Sequence, residues 1–207
     1  MNVSRPYAVL STPLDVEVLL VLRGTTRPLT GREIARLVTR GSPAGVQKAL
    51  RRLAPHGIIH AEEAGRALLY TLNRDHLAVP ALETLAMMRV ELERRLRARI
   101  EEWEIAPAHV SIFGSAARGD GDTESDIDLF VVRRPNVDAS SPRWREQLDR
   151  LATDVYRWTG NHLAISEVDR RQLRRLRLEH PPVVDAFGAD AITLFGPAPD
   201  RLLGGGG

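Results

Sequence analysis

Apolar residues recur every three or four positions through the first 55 residues, then alternate with polar ones for a short stretch. The first period is that of an amphipathic helix and the second that of a half-buried strand. Pro13 to Leu22 is apolar and long enough for one helix, ended by Gly24. Thr30, with Glu33 three residues on, forms a capping-box pattern that starts a second helix. Ile34, Leu37 and Val38 of that helix are expected to face a core. Ser42 caps a third, Pro43 to Ala54, with Val46, Leu50 and Leu53 as its buried stripe. Gln47, Lys48, Arg51 and Arg52 take the remaining faces. After Pro55-His56-Gly57, GIIHAEE and RALLYTLN flank Ala64-Gly65, which predicts a hairpin with Arg66 near its tip. From Val79 to Trp103 one long helix is predicted. Its Met88, Leu92, Leu96, Ile100, Trp103 stripe suits either packing on the following domain or a homodimer seam.

The remainder alternates strand and helix patterns, which argues α/β. HVSIF and DIDLFVV read as strands with AARGDGDTES between them, and PRWREQLDRLATDVYRWTG reads as a helix ending at Gly160. HLAISEV is a third strand, RRQLRRLRLEH a basic helix, and AITLFG either a last strand or a helix end. The expected division is 1–75, a connecting helix at 76–104 that packs on the second domain, a domain at 105–203, and a flexible tail at 204–207.

Charge sharpens this division. Residues 1–75 carry 11 Lys+Arg against 6 Asp+Glu, a net +5, and residues 76–207 carry 18 against 21, a net −3. A basic N-terminal third suggests a polyanionic partner, although a general arginine bias would give the same balance. Lys48 is the only lysine. No G-x-x-x-x-G-K-[ST] sequence is present, so P-loop chemistry is excluded. With no cysteine there is neither a disulfide framework nor a thiolate metal site. No run approaches the roughly 18 apolar residues that span a bilayer, and the first ten residues lack a signal-peptide pattern. The expectation is a cytoplasmic protein with no membrane partner.

Three helices followed by a hairpin, over Thr12 to Asn73, resemble the winged helix-turn-helix of MarR-like and ArsR-like regulators. The resemblance implies double-stranded DNA as partner. Its third helix would enter the major groove, where Gln47 reads adenine and an arginine reads guanine. Lys48, Arg51 and Arg52 lie on that helix, and Arg40 and Arg66 are expected at phosphates.

The stretch Ser111 to Val132, SIFGSAARGDGDTESDIDLFVV, carries the chemistry. Asp126 and Asp128 are two apart on a strand, so both carboxylates leave one face while Ile127, Leu129 and Val131 pack on the other. Paired hard oxygen ligands suit Mg²⁺ bridging to phosphates. Gly114 allows close backbone approach and Ser115 begins a helix whose N–H groups favour anions. Arg118 reaches either a phosphate or one of Asp120 and Asp122.

Gly114-Ser115, Arg118-Gly119 and Ser125-Asp126-x-Asp128, set between two apolar strands, closely resemble the signature of minimal nucleotidyltransferases of the polymerase-beta type. The resemblance covers most of residues 89–195. It implies an α/β (α+β) domain with a small mixed sheet flanked by helices, an NTP and Mg²⁺ site, and metal-bound catalytic Asp126 and Asp128. Gly114, Ser115, Arg118, Gly119 and Ser125 would hold the nucleotide, with a protein or RNA acceptor. The family places a third carboxylate on a later strand, shortly after a helix ending in Thr-Gly. Counting on from Thr159-Gly160 puts Ala164 there. Glu167 has the wrong parity and Asp169 lies at the strand's end.

Two outcomes follow. Glu167 or Asp169 reaches the metals through a bulge or shifted register, or the site holds metal and nucleotide without its base. The functions in view are a DNA-binding nucleotidyltransferase, a regulator whose transferase domain senses nucleotide, and a self-repressing antitoxin-type component of a toxin–antitoxin pair.

Overall fold

The structure, a computed structural model, describes residues 13–39, 41–118, 125–179, 187–188, 190–198 and 201–202. Arg40, Gly119, Asp120, Asp122 and the tail 204–207 lie outside the described residues. The chain separates into two compact units, one ending at Met88 and the other running from Arg89.

In the first unit, α1 (Pro13–Arg23), α2 (Gly31–Leu37) and α3 (Pro43–Leu53) pack on a small sheet. The capping box at α2 is complete: Glu33 N–H donates to Thr30 Oγ1 at 3.2 Å and Thr30 N–H to the Glu33 carboxylate at 2.8 Å. Those bonds, with Arg27, hold the Glu33 pKa down to about 2. Ser42 accepts from Gly45 N–H at 3.0 Å at the head of α3, where Pro43 occupies the first turn. Val46, Ala49, Leu50 and Leu53 of α3 are buried.

Strands β2 (Ile59–Ala64) and β3 (Ala67–Leu72) form the hairpin, with Gly65 at φ +62° in its turn. A two-residue strand, β1 (Leu29–Thr30), adds to β3, giving the order β1-β3-β2. Leu37 is 59% exposed, contrary to the expected core position. Helix α2 stops at Leu37 and Val38 turns extended, so of the three expected positions only Ile34 and Val38 reach the core.

The long helix expected from Val79 to Trp103 is two helices, α4 (Val79–Ala86) and α5 (Met88–Glu101). Val79 and Leu82 of α4 join the core of the first unit, whereas Leu92, Leu96 and Ile100 of α5 join that of the second. Each helix follows its own core, and the helical path breaks at Met87.

The second unit contains a mixed sheet in the order β6-β5-β4-β7, with β4 (His109–Phe113), β5 (Ile127–Val132), β6 (Leu163–Val168) and β7 (Ile192–Phe195). AITLFG therefore supplies a strand, antiparallel to β4. β4 and β5 are antiparallel, and β5 and β6 are parallel, joined through α7 (Pro142–Thr159). Trp144, Leu148, Leu151 and Val155 of α7 recur at helical spacing and pack with Ile112, Ile127, Leu129 and Val131 on one face of the sheet. Trp144 meets Trp103 edge to face at 5.7 Å. Gly160, at φ +75°, ends α7 and returns its N–H to Tyr156 O at 2.7 Å. No helix among the described residues is long and apolar enough to cross a membrane.

Candidate functional site

The face of the second sheet opposite α7 holds the candidate site. Strand β4 ends at Phe113, paired across the ladder with Asp128. The chain then turns through Gly114 at φ +67° into the short helix α6 (Gly114–Arg118). A Cβ on Gly114 would stand 2.4 Å from Asp128 Oδ2. The Asp128 carboxylate therefore lies directly over the Gly-Ser turn, in space that only glycine leaves open.

Asp126, two residues upstream and exposed, is close enough to act on Asp128 through its charge. Burial first, and that neighbouring charge second, raise the Asp128 pKa, while Arg118 works the other way. The apolar part of the burial has a visible source. Phe113, Phe130 and Phe187 form an edge-to-face cluster, with ring centroids 4.8 to 6.4 Å apart, on the same side of the sheet. Deeper on that face, His109 is fully buried, with Nδ1 2.9 Å from Pro197 O and Nε2 3.0 Å from Ser111 Oγ. The carbonyl requires Nδ1–H to donate, so Nε2 accepts from the serine. Burial pushes its pKa down to about 4.

The segment before Asp126 is tied from the neighbouring strand. Asn161, 4% exposed, donates from Nδ2 to Ser125 O at 3.0 Å, and Ile127 N–H donates to His162 O at 2.9 Å. Asn161 is a positioning residue that sequence reasoning passed over. Its only signal is an amide directly after the Thr-Gly helix end. Arg89 of α5 donates to Ala117 O at 2.6 Å and so fixes the other end of α6. Arg118 faces Asp190 at 4.0 Å.

The two routes by which another carboxylate could reach Asp126 and Asp128 are closed. The β5–β6 ladder is continuous over six pairs, without a bulge, and sets Ala164 opposite Asp128. Glu167 pairs with Val131 in that ladder, and its carboxylate is held by Arg133, by Trp144 Nε1 at 3.0 Å and by Arg145 at 3.4 Å. Asp169 caps the following helix, α8 (Arg170–Glu179), accepting from Arg171 and Gln172 N–H at 2.7 and 2.8 Å. Those bonds pull its pKa down. Among the described residues, no three acidic or histidine side chains converge on a metal position.

In the first unit, Lys48 and Arg51 are exposed on α3, and Arg66 is exposed at the hairpin turn. Arg52 is not available as expected: its guanidinium grips Asp15 of α1, with Nε donating to Oδ2 at 2.8 Å. Gln47 does not extend outward either, because its amide lies against Gly31, where a Cβ would come within 2.1 Å of Nε2. Gln47, Arg66 and Arg32 line a groove of about 560 Å³ together with Leu68 and Tyr70. Arg32, exposed at the start of α2, is a further cation that the sequence pattern did not single out.

Residues 92–180 match the family model of the nucleotidyltransferase domain. No curated protein matches the chain. Two solved structures are similar over 52% of it. One, described as a toxin–antitoxin with AMP-PNP, has 19% identity and a TM-score of 0.34 over 76% of its own chain. The other, a candidate nucleotidyltransferase from Sulfolobus solfataricus, has 18% identity and a TM-score of 0.32 over 83% of its chain. At those scores neither likeness bears on the site.

Proposed function

We propose that the nucleotidyltransferase domain binds an NTP together with Mg²⁺ at the Gly114 turn. Asp126 and Asp128 hold the metal, and Gly114, Ser115, Arg118, Gly119 and Ser125 hold the nucleotide. The observation that carries this reading is the Asp128 carboxylate lying over the Cα of Gly114, with Asp126 beside it. The donors fit the ion: two hard carboxylate groups side by side, one of them partly buried. A bound Mg²⁺ supplies charge neutralisation at the phosphates. The chain's own part is to fix the carboxylates against a turn that a phosphate can approach.

The closed routes around Ala164 favour a second reading alongside it, in which nucleotide is held with little turnover. A general base is worth about 10²- to 10⁴-fold, so transfer to a hydroxyl acceptor is expected to be slower by that order than in a site with all three acids. Incubation with α-labelled NTP, Mg²⁺ and a 3′-hydroxyl oligonucleotide tests this. Binding without rapid labelling is expected; fast labelling would contradict it.

We further propose that the first unit acts as a winged helix on duplex DNA, with Lys48 and Arg51 in the major groove. Arg66 and Arg32 lie toward the phosphates, and Arg52 braces α3 on α1. What supports this is the set of exposed cations on α2, α3 and the hairpin, against the ion pair that occupies Arg52. In gel shifts at low salt, Lys48→Ala with Arg51→Ala is expected to weaken duplex binding at least about tenfold, a loss of roughly 1.4 kcal/mol. Arg52→Ala is expected to lower the melting temperature instead. Equal loss of DNA affinity from both variants would contradict the assignment.

A further inference from the structure

We propose that the nucleotidyl acceptor is a nucleic-acid end bearing a terminal phosphate, whose attacking oxygen is already ionised. The proposal rests on the nucleotide reading above and extends it to the second substrate. Its first support is the chemistry missing beside Asp128. The strand next to that carboxylate presents the methyl group of Ala164. Glu167 is bound on the α7 side by Arg133, Trp144 and Arg145, and Asp169 is spent on capping α8. His162, just before β6, stacks on Tyr156 with ring centroids 5.1 Å apart. His109 has both ring nitrogens bonded and is fully buried. Apart from Asp128, which the nucleotide reading assigns to the metal, the described residues of β4, β5 and β6 leave no acid or histidine to take a proton from an attacking hydroxyl.

A hydroxyl must lose its proton as it attacks phosphorus, and the group that takes it is worth about 10²- to 10⁴-fold. A terminal phosphate needs no such group, because its second ionisation lies near pH 6. One of its oxygens forms the new bond to the α-phosphorus of the NTP. The bond from that phosphorus to the α–β bridging oxygen breaks, and its electron pair leaves with pyrophosphate. The product is a phosphoanhydride, and no proton changes hands.

The second support is charge. Helix α8 packs on β6, the strand that carries Ala164. Arg170, Arg171 and Arg174 are exposed on it, and neither Arg170 nor Arg174 has a side-chain partner among the described residues. A row of free guanidiniums on one helix suits a chain of phosphates, which arginine binds bidentately. A phosphorylated side chain offers a single phosphate, whereas an oligonucleotide presents several in succession along the helix.

The test uses the full chain, Mg²⁺ and α-labelled NTPs with three acceptors. These are a single-stranded oligonucleotide with a 5′-phosphate and a blocked 3′ end, the same oligonucleotide with 5′- and 3′-hydroxyls, and a phosphoserine peptide. Label is expected on the phosphorylated oligonucleotide, with kcat/KM at least about 100-fold above that of the hydroxyl form, and with stoichiometric release of pyrophosphate. Ala164→Asp is expected to narrow that ratio by raising transfer to the hydroxyl form. Arg170→Glu with Arg174→Glu is expected to raise the KM for the oligonucleotide about tenfold and to weaken its direct binding by the same factor. Faster labelling of the hydroxyl form, or of the phosphopeptide, would overturn the proposal. So would the absence of label on every acceptor while calorimetry still shows Mg²⁺-dependent NTP binding. Absence of that binding would instead overturn the nucleotide reading beneath it.

Discussion

Adding a methyl group to Gly114 would drive it to 2.4 Å from an Asp128 oxygen, on a backbone already at φ +67°. That close approach joins the Gly-Ser turn to the acidic strand, and it was legible in the sequence. The spacing of Asp126 and Asp128 and the glycine before Ser115 are both local signals, and strand parity alone sends the two carboxylates to one face. Ala164 was legible for the same reason, by counting along β6.

The role of His109 was not, since nothing local marks a buried histidine between a serine and a proline carbonyl. Its pKa is held near 4 against an ordinary 6.5 because burial disfavours the cation. In the unfolded chain it gains a proton as the pH falls through 6.5, and in the folded chain only near 4. The stability it confers is therefore complete above pH 6.5 and lost progressively down to pH 4. The loss is about 3 kcal/mol at most. Chemical denaturation of His109→Gln is expected to show a flatter stability profile across that window. An unchanged slope would contradict the buried neutral ring.

At the scale of elements, the register of β6 against β5 decides which acids are available. Six unbroken pairs put Glu167 across from Val131, on the α7 side, where Arg133 and Trp144 hold it. The side chains of Arg133 and Glu167 are only 13% and 11% exposed, so deleting one leaves the other charge largely buried and unpaired. Glu167→Ala is expected to cost roughly 3 kcal/mol or more in stability, with NTP affinity unchanged in calorimetry. Were Glu167 a metal ligand through some shifted register, affinity would collapse while stability barely moved.

Elements defined by a sustained period were readable in advance: α1, α3, α7 and the strands β4, β5 and β6. Where tertiary packing overrode the period, the reading failed. The stripe from Met88 to Trp103 continues without interruption, yet α4 and α5 serve different cores and separate at Met87. Leu37 has the right spacing for the core, but α2 ends there and leaves it exposed, while Ile34 and Val38 are buried as expected. Two-residue β1 carries no periodic signal at all.

The whole molecule pairs a basic unit with an acidic one, the sign difference that composition already showed. Charge alone overcounted the cations available to a polyanion. Arg23, Arg27 and Arg52 of the first unit are engaged by Glu83, Glu33 and Asp15. Lys48, Arg51, Arg32 and Arg66 remain exposed. The weakening expected of the Lys48 and Arg51 double variant should come with a shallower salt dependence, because a protein that neutralises fewer phosphates displaces fewer counterions from the duplex.

The acidic unit has the more decisive test, since metal-dependent nucleotide binding underlies both the transferase reading and the phosphate-acceptor proposal. Isothermal titration of each NTP into the full chain, with Mg²⁺ and with EDTA, should be repeated for Asp126→Ala with Asp128→Ala. Saturable binding of at least one NTP is expected, requiring Mg²⁺ and disappearing in the double variant while its melting transition persists. Binding of equal affinity in the folded double variant would contradict it.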